Sequence, residues 1–365
     1  MNRRSFFQNS AAAASLAATS GSAEGAPAKW NKPIRFKLGC QSGPTTAKRL
    51  QFFKRHSVNN ICGYARSANR NGPNTLEDLQ RLVDLCSKYQ VSVDCLAPPF
   101  LASSHIDRTP RPAIMLAESP ERDRDIAEVQ QLIRDCAKVG IPAIKYNMSI
   151  LGVLRTERTP GRGGTTLSTW RLREAKPETP LTKAGVVNAD RFWERITYFL
   201  DHVIPVANEY KIRMACHPHD PGVPPQGYQG VDRVLGTVDG LKKFVSIRES
   251  PYHGFNFCQG TVSEMLQNPG KEIFDVIRYF GSRKKIFNVH FRNIRGHRDD
   301  FVETYPDEGD IDFVEAIKVY REVEYPYMLM PDHVPHHPDD PGGDQAFAFC
   351  YGYIRALIQA SNRLV

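Results

Sequence analysis

The sequence predicts a single α/β domain, a closed (β/α)8 TIM barrel of eight parallel strands, each followed by a helix. Three observations lead there. Short apolar runs alternate eight times with longer segments, the pattern that builds parallel sheets. Four residues of metal-ligand type close four successive runs, namely His217, Cys258, His290 and Asp332, at intervals of 41, 32 and 42 residues. Each interval is about one strand-plus-helix unit. The segment after the first run, Gly39-Cys40-Gln41-Ser42-Gly43, is not the glycine-rich phosphate turn that a doubly wound open sheet usually carries there.

The first segment reads as an address. Asn2-Arg3-Arg4-Ser5-Phe6-Phe7-Gln8 precedes a weakly apolar, alanine-rich stretch and a small-residue zone ending near Ala26. A basic start, a modest apolar middle and a small-residue cleavage zone make a signal peptide. The paired arginines before phenylalanine resemble a twin-arginine signal. Residues 1–28 are therefore expected to direct export to the periplasm, leaving 29–365 as one catalytic domain. Strands are expected at Arg35–Cys40, Val58–Cys62, Val91–Leu96, Ala143–Asn147, Ile212–Cys216, Gly254–Phe257, Ile286–Phe291 and Tyr327–Met330.

Between them, Thr75–Tyr89 carries Leu76, Leu79, Leu82, Val83 and Cys86 at helical spacing. Arg122–Val139 follows Ser119-Pro120, a good helix entry. Ala189–Tyr210, Lys271–Phe280, Ile311–Val323 and Gln345–Ser361 complete the expected helices, with Asp312 and Glu315 favouring the dipole where the fifth begins. Two long connections, Pro98 to Pro120 and Arg155 to Thr182, follow strands. Both are expected over the catalytic face as lids or binding loops.

The chain has 365 residues with 41% apolar and 24% charged content, ordinary for a globular enzyme. No run of 18 apolar residues occurs, so no membrane-spanning segment is expected after the signal. The net charge of +8 is dispersed. No nucleic-acid recognition motif accompanies it, which leaves steering of anionic substrates as its sharper use. The eight cysteines form no CxxC pair, and most sit in apolar runs as expected for buried free thiols.

In a parallel barrel, strand ends converge on the face that carries the chemistry. Two imidazoles, a thiolate and a carboxylate meeting there would hold a divalent first-row metal. His219 is a candidate substrate contact, and Asp220 a partner that orients His217. Arg292 and Asn293, just past His290, read as an anion and hydroxyl clamp. His333, beside Asp332, is the candidate for acid/base work. His336, His337, Asp339 and Asp340 read as a solvated loop.

These motifs resemble the mannonate dehydratase family of xylose-isomerase-like barrels over about residues 55–360. Lys145-Tyr146-Asn147 running to Arg155-Thr156 is similar to the family's Tyr-Asn segment ending in Arg-Thr. His217-Pro218-His219-Asp220-Pro221, then Gly254-Phe255-Asn256-Phe257-Cys258-Gln259-Gly260-Thr261, then His290-Phe291-Arg292-Asn293 with Phe301, Glu303 and Gly309-Asp310-Ile311-Asp312, and finally Pro331-Asp332-His333 resemble its later blocks. The resemblance implies Mn2+ or Fe2+ on His217, Cys258, His290 and Asp332, and catalytic work by His333. The chain departs from the family at Met330, where arginine is usual, at His219, where aspartate is usual, and at Gln259-Gly260-Thr261, where Thr-Gly-Ser is usual.

The expected function is dehydration of a sugar acid, D-mannonate to 2-keto-3-deoxy-gluconate and water, in hexuronate catabolism. Tyr146 is a further proton-transfer candidate, and Arg155 joins Arg292 as a bidentate anion binder. The alternative is a metal-dependent isomerase or epimerase of a sugar, which Met330 would suit. A non-catalytic exported sugar-binding protein is a third class, and His333 argues against it. The expected partner is a small sugar acid or sugar, with a homo-oligomer possible.

Overall fold

The computed structural model describes residues 32–67 and 72–363. The expected signal at 1–28 lies outside the described residues. Eight parallel strands close the barrel: β1 (Lys37–Cys40), β2 (Asn60–Gly63), β3 (Ser92–Leu96), β4 (Ala143–Asn147), β5 (Arg213–His217), β6 (His253–Cys258), β7 (Ile286–His290) and β8 (Met328–Met330). They neighbour one another in chain order. β1 completes the ring against β8 through Lys37 opposite Met328 and Leu38 opposite Leu329.

The outer ring is α1 (Ala47–Arg55), α2 (Leu76–Lys88), α3 (Glu121–Val139), α4 (Ala189–Tyr210), α5 (Val238–Ile247), α6 (Pro269–Ser282), α7 (Phe313–Glu322) and α8 (Asp344–Arg363). The strands fall within about two residues of expectation. Two helices, α1 and α5, were not anticipated. In α1 only Leu50 and Phe53 are buried, among four basic residues, so no period stands out. In α5 the apolar stripe of Leu241, Phe244 and Val245 is interrupted early by Gly240, a poor helix former. Start signals are local and physical. Thr75 accepts from the Asp78 N–H while Asp78 accepts from the Thr75 N–H, a reciprocal cap that fixes where α2 begins.

Alternation along each strand decides what reaches the barrel interior. In β4, Ile144 and Tyr146 pack outward into the main core, whereas Ala143 joins an inner layer with Cys62, Cys95, Ala97, Met328 and Met330. All eight cysteines are free and buried. No helix among the described residues is long and apolar enough to cross a membrane.

The first long connection is pinned to the end of β4 and to the turn that follows it. The Asn147 N–H donates to Leu101 O and the Ile106 N–H to Ile150 O. At Gly152, with φ +68°, a Cβ would lie 2.8 Å from Ser103 O, so only glycine suits the crossing. The second connection contributes Thr169–Arg171 to a three-stranded antiparallel sheet with Asp300–Thr304 and Asn293–His297. That hairpin, inserted after β7, was also not anticipated.

His253, the first residue of β6, reaches Phe244 O of α5 at 2.9 Å and is buried. Burial holds it near 4 instead of 6.5. The folded chain therefore favours the neutral ring. Its contribution to stability is whole above about pH 6.5 and is lost as pH falls through about 4, at most about 3 kcal/mol. Thermal melts across that range are expected to show a shallower acid decline for His253→Gln than for the native chain. Superimposable declines would assign the acid sensitivity to other groups.

Candidate active site

The four expected ligands come together at the carboxyl ends of β5, β6, β7 and β8. One ligand atom from each of His217, Cys258, His290 and Asp332 lies within 4.8 Å of the others. The second nitrogen of each imidazole is occupied. His217 Nδ1 is 2.7 Å from Pro218 O, and His290 Nε2 is 3.1 Å from Gln41 Oε1. Such contacts fix tautomers and aim the other nitrogen inward. His290 Nδ1 is buried without a hydrogen bond, 3.2 Å from Asp332 Oδ1. Asp332 Oδ2 lies 3.6 Å from Cys258 Sγ.

Burial alone would push the Cys258 thiol up, but Arg292 and His290 outweigh it and bring it below its usual value. Burial also opposes ionisation of Asp332, yet His290 and His333 hold it well below the carboxylate range. An orphaned imidazole nitrogen, a thiolate and a carboxylate converging on one point fit a divalent cation.

A second group adjoins the first. Asp220, Glu303 and His333 converge within the same 4.8 Å limit. His333 Nδ1 is 2.9 Å from Glu303 Oε2, and His333 Nε2 is 3.8 Å from Asp332 Oδ2. Glu303 arrives on the antiparallel hairpin, which the Glu303 N–H fastens to Ser168 O at 2.8 Å. Burial disfavours a charged His333, but Asp332 and Glu303 outweigh it and raise the imidazole above its usual value.

Two buried arginines knit this layer together. Arg292 reaches Glu264 at 2.9 Å, Glu303 at 2.6 Å and Asp220 at 3.1 Å. Arg155 reaches Asp220 at 2.5 Å and pairs closely with Glu303. Burial, with Asp220 nearby, pushes Glu264 well above the carboxylate range. The cavity over both groups holds about 230 Å3 and is lined by Gln41, Tyr64, Lys145, His217, Asp332 and His333, with Ser103, Asn147 and Ser149 from β4 and the two long loops.

The family described as D-mannonate dehydratase (UxuA) matches residues 164–363, more than half of the chain. The chain belongs to the D-mannonate dehydratase family. Mannonate dehydratase of Endomicrobium trichonymphae is 37% identical over 157 residues, covering 42% of this chain and 41% of that protein. The enzyme of Geobacillus thermodenitrificans is 32% identical over 251 residues, covering 59% and 66%. The matched part thus spans about two fifths of the first relative and two thirds of the second. The crystal structure of mannonate dehydratase from Streptococcus suis serotype 2 superposes with a TM-score of 0.75 at 21% identity, covering 91% of this chain and 95% of that one. A D-tagatose 3-epimerase-like protein superposes at 0.56 and 15% identity over 90% and 99%. Both share the barrel fold.

Mannonate dehydratases are metal-dependent hydro-lyases, and the group of His217, Cys258, His290 and Asp332 is one that could hold a metal ion. Several expectations about neighbouring residues need correction. Tyr146 points out of the barrel and packs on Phe199, because strand alternation sends Lys145 and Asn147 inward instead. His219 is buried with both nitrogens engaged, Nε2 with Met148 O and Nδ1 with the Leu235 N–H, so it anchors the loop and stands outside the cavity lining. Asn293 is buried and spends its side chain on Pro306 O, Ile311 O and the Ile311 N–H. Arg155 and Arg292 are consumed by carboxylates and are absent from the cavity lining. Glu303, Glu264, Gln41 and Lys145 gain importance that no local pattern announced. Glu303 lay within a matching block, and its place on the hairpin was the missing signal.

Cys258→Ala and His217→Ala each remove a donor. Elemental analysis after dialysis against Mn2+-free buffer is expected to show at least about tenfold less retained manganese in both. Glu303→Gln, outside the four-ligand group, is expected to retain it. Equal retention in all three would refute the ligand assignment.

Proposed function

We propose that the chain dehydrates a sugar acid of the mannonate class, D-mannonate to 2-keto-3-deoxy-gluconate and water, with Mn2+ or Fe2+ on His217, Cys258, His290 and Asp332. The supporting observation is that a four-donor metal group and a carboxylate-held histidine share one cavity, with His333 Nε2 3.8 Å from Asp332 Oδ2. When bound, the metal supplies Lewis acidity that makes the proton α to the substrate carboxylate easier to remove.

The chain's own groups do the rest. Glu303 fixes Nδ1 of His333, which leaves Nε2 for proton transfer. The raised proton affinity of His333 suits it to give a proton to the departing β-hydroxyl. The α proton passes to a base, the β C–O bond breaks as His333 protonates the leaving hydroxyl, and water departs; the enol then takes a proton at C3 and returns its O–H proton to His333, giving the 2-keto-3-deoxy acid. Ser103, Asn147 and Ser149 offer hydroxyl and amide groups to sugar hydroxyls.

Mass spectrometry of products from a panel of aldonic acids, uronic acids and keto sugars, with the Mn2+-loaded protein, tests this reading. Loss of one water from an aldonic acid is expected. A mass-conserving product would assign an isomerase or epimerase. His333→Ala is expected to lower turnover by about 100-fold or more with metal retained; unchanged turnover would remove His333 from the chemistry.

The proposal includes export. Arg3-Arg4 supports a twin-arginine route, and eight free buried thiols suit a chain folded before it leaves the cytoplasm. Replacing both arginines by lysine is expected to move the protein from the periplasmic to the cytoplasmic fraction. An unchanged distribution would sink the route.

A further inference from the structure

One arginine and one lysine line this cavity: Arg233 donates to Gly152 O and Asp220 O, whereas the Lys145 ammonium meets no residue among those described. Lys145 lies in the middle of β4, two residues deeper than the layer of Asn147 and His217, since Asn147 pairs with His217 and Lys145 with Ala215. Its side chain is 9% exposed and lines the cavity. Among the described residues no hydrogen bond or ion pair reaches its ammonium. The contrast is Lys285, comparably buried, which holds Glu249 at 2.5 Å and Ser250 O at 2.8 Å.

The groups around Lys145 do not neutralise it. Cys62 and Cys216 are thiols that burial keeps protonated. The carboxylates of the site are already engaged, Asp220 by Arg155 and Arg292, Glu303 by His333 and Asp332 by His290. A buried ammonium without a partner is costly, and a fold that keeps one facing a cavity has placed it for an anion brought from outside.

We propose that Lys145 is the specificity-determining contact for the carboxylate of an acid substrate, drawing that carboxylate to the inner end of the cavity beside the metal ligands. The inference rests on the sugar-acid reading above and names the group that recognises the acid. It also explains how the site reads a carboxylate with Met330 in the inner layer and with Arg155 and Arg292 spent on internal carboxylates. Neutral sugars and polyols have no charge for Lys145 to meet, so the residue separates acids from their neutral counterparts.

The test compares the native chain, Lys145→Met and Lys145→Arg, all Mn2+-loaded, by calorimetric titration with D-mannonate, D-gluconate and the neutral polyol D-mannitol. Turnover of the acids is followed in parallel. Lys145→Met is expected to weaken acid binding, and to raise KM more than it lowers kcat, by about 10- to 100-fold, the worth of one charge-assisted hydrogen bond. Mannitol binding and manganese content are expected to stay unchanged, and Lys145→Arg to recover part of the loss. The Tm of Lys145→Met without ligand is expected to equal or exceed the native value, because an unpaired buried charge has been removed.

Acid binding that is indifferent to Lys145→Met, or equal losses for acid and polyol, would overturn the proposal. So would a Lys145→Met variant that loses Tm and manganese together, since that marks a structural role. If acids bind through Lys145 but no water is lost, the carboxylate contact stands and the dehydratase reading falls. If acids are dehydrated equally well by native and Lys145→Met protein, the reading stands and the contact falls.

Discussion

Arg292 is the charge around which the site is assembled. Its guanidinium is buried among Asp220, Glu264, Glu303 and Asp332, and these acids arrive from four different connections, after β5, β6, β7 and β8. A guanidinium cannot shed its proton, so folding must bring carboxylates to it. Gly260, on the turn after Cys258, leaves the room, since a Cβ there would stand 2.6 Å from Arg292 Nε. Removing one partner of such a buried cluster would cost about 3–5 kcal/mol, because the remaining charges lose their compensation. The cluster therefore locks the loops that carry the metal ligands and the loop that carries His333 into one register.

The same electrostatics sort the remaining groups by role. Arg155 and Arg292 neutralise Asp220 and Glu303, and burial pushes Glu264 well above the carboxylate range. Asp332 and the Cys258 thiolate are then left as two negative charges beside two imidazoles, which bind metals in their neutral form. A dication balances that set. His333 stands at the seam, touching Glu303 on one side and Asp332 on the other. Its proton affinity is tied to both clusters. A metal placed on Asp332 would lower it, because a nearby cation disfavours the imidazolium.

The barrel and the convergence of its four candidate ligands were legible because both rest on repeating patterns. Strand ends recur at near-constant spacing, and a His, Cys or Asp at each end is visible without contacts. What escaped was set by tertiary context. Tyr146 and Lys145 differ by one position in β4, yet that single step decides whether a side chain faces α4 or the cavity. Arg155 and Arg292 suited anion binding by residue type, and only the positions of Asp220, Glu264 and Glu303 reveal that their anions are internal. α1 was hidden by having two buried residues in nine. The hairpin bearing Glu303 was hidden because its strands pair with Thr169–Arg171, more than a hundred residues earlier.

That long-range pairing gives the second long connection its purpose. A barrel strand can deliver a side chain to the rim, but Glu303 must approach His333 from outside the ring formed by β7 and β8. The three-stranded sheet supplies a rigid outer wall for that approach, with Thr169 buried in its edge strand and bonded to Thr159 Oγ1 at 2.8 Å. Positioning an acid/base pair on an ordered sheet rather than a free loop lowers the entropy spent in aligning it. The first connection acts differently. Its crossing at Gly152 leaves Ser103 and Ser149 at the mouth, where polar groups face whatever enters. One insertion thus aligns the chemistry and the other shapes the entrance. The barrel between them provides the four candidate metal ligands and, deeper inside, a lysine whose ammonium has no internal partner among the described residues.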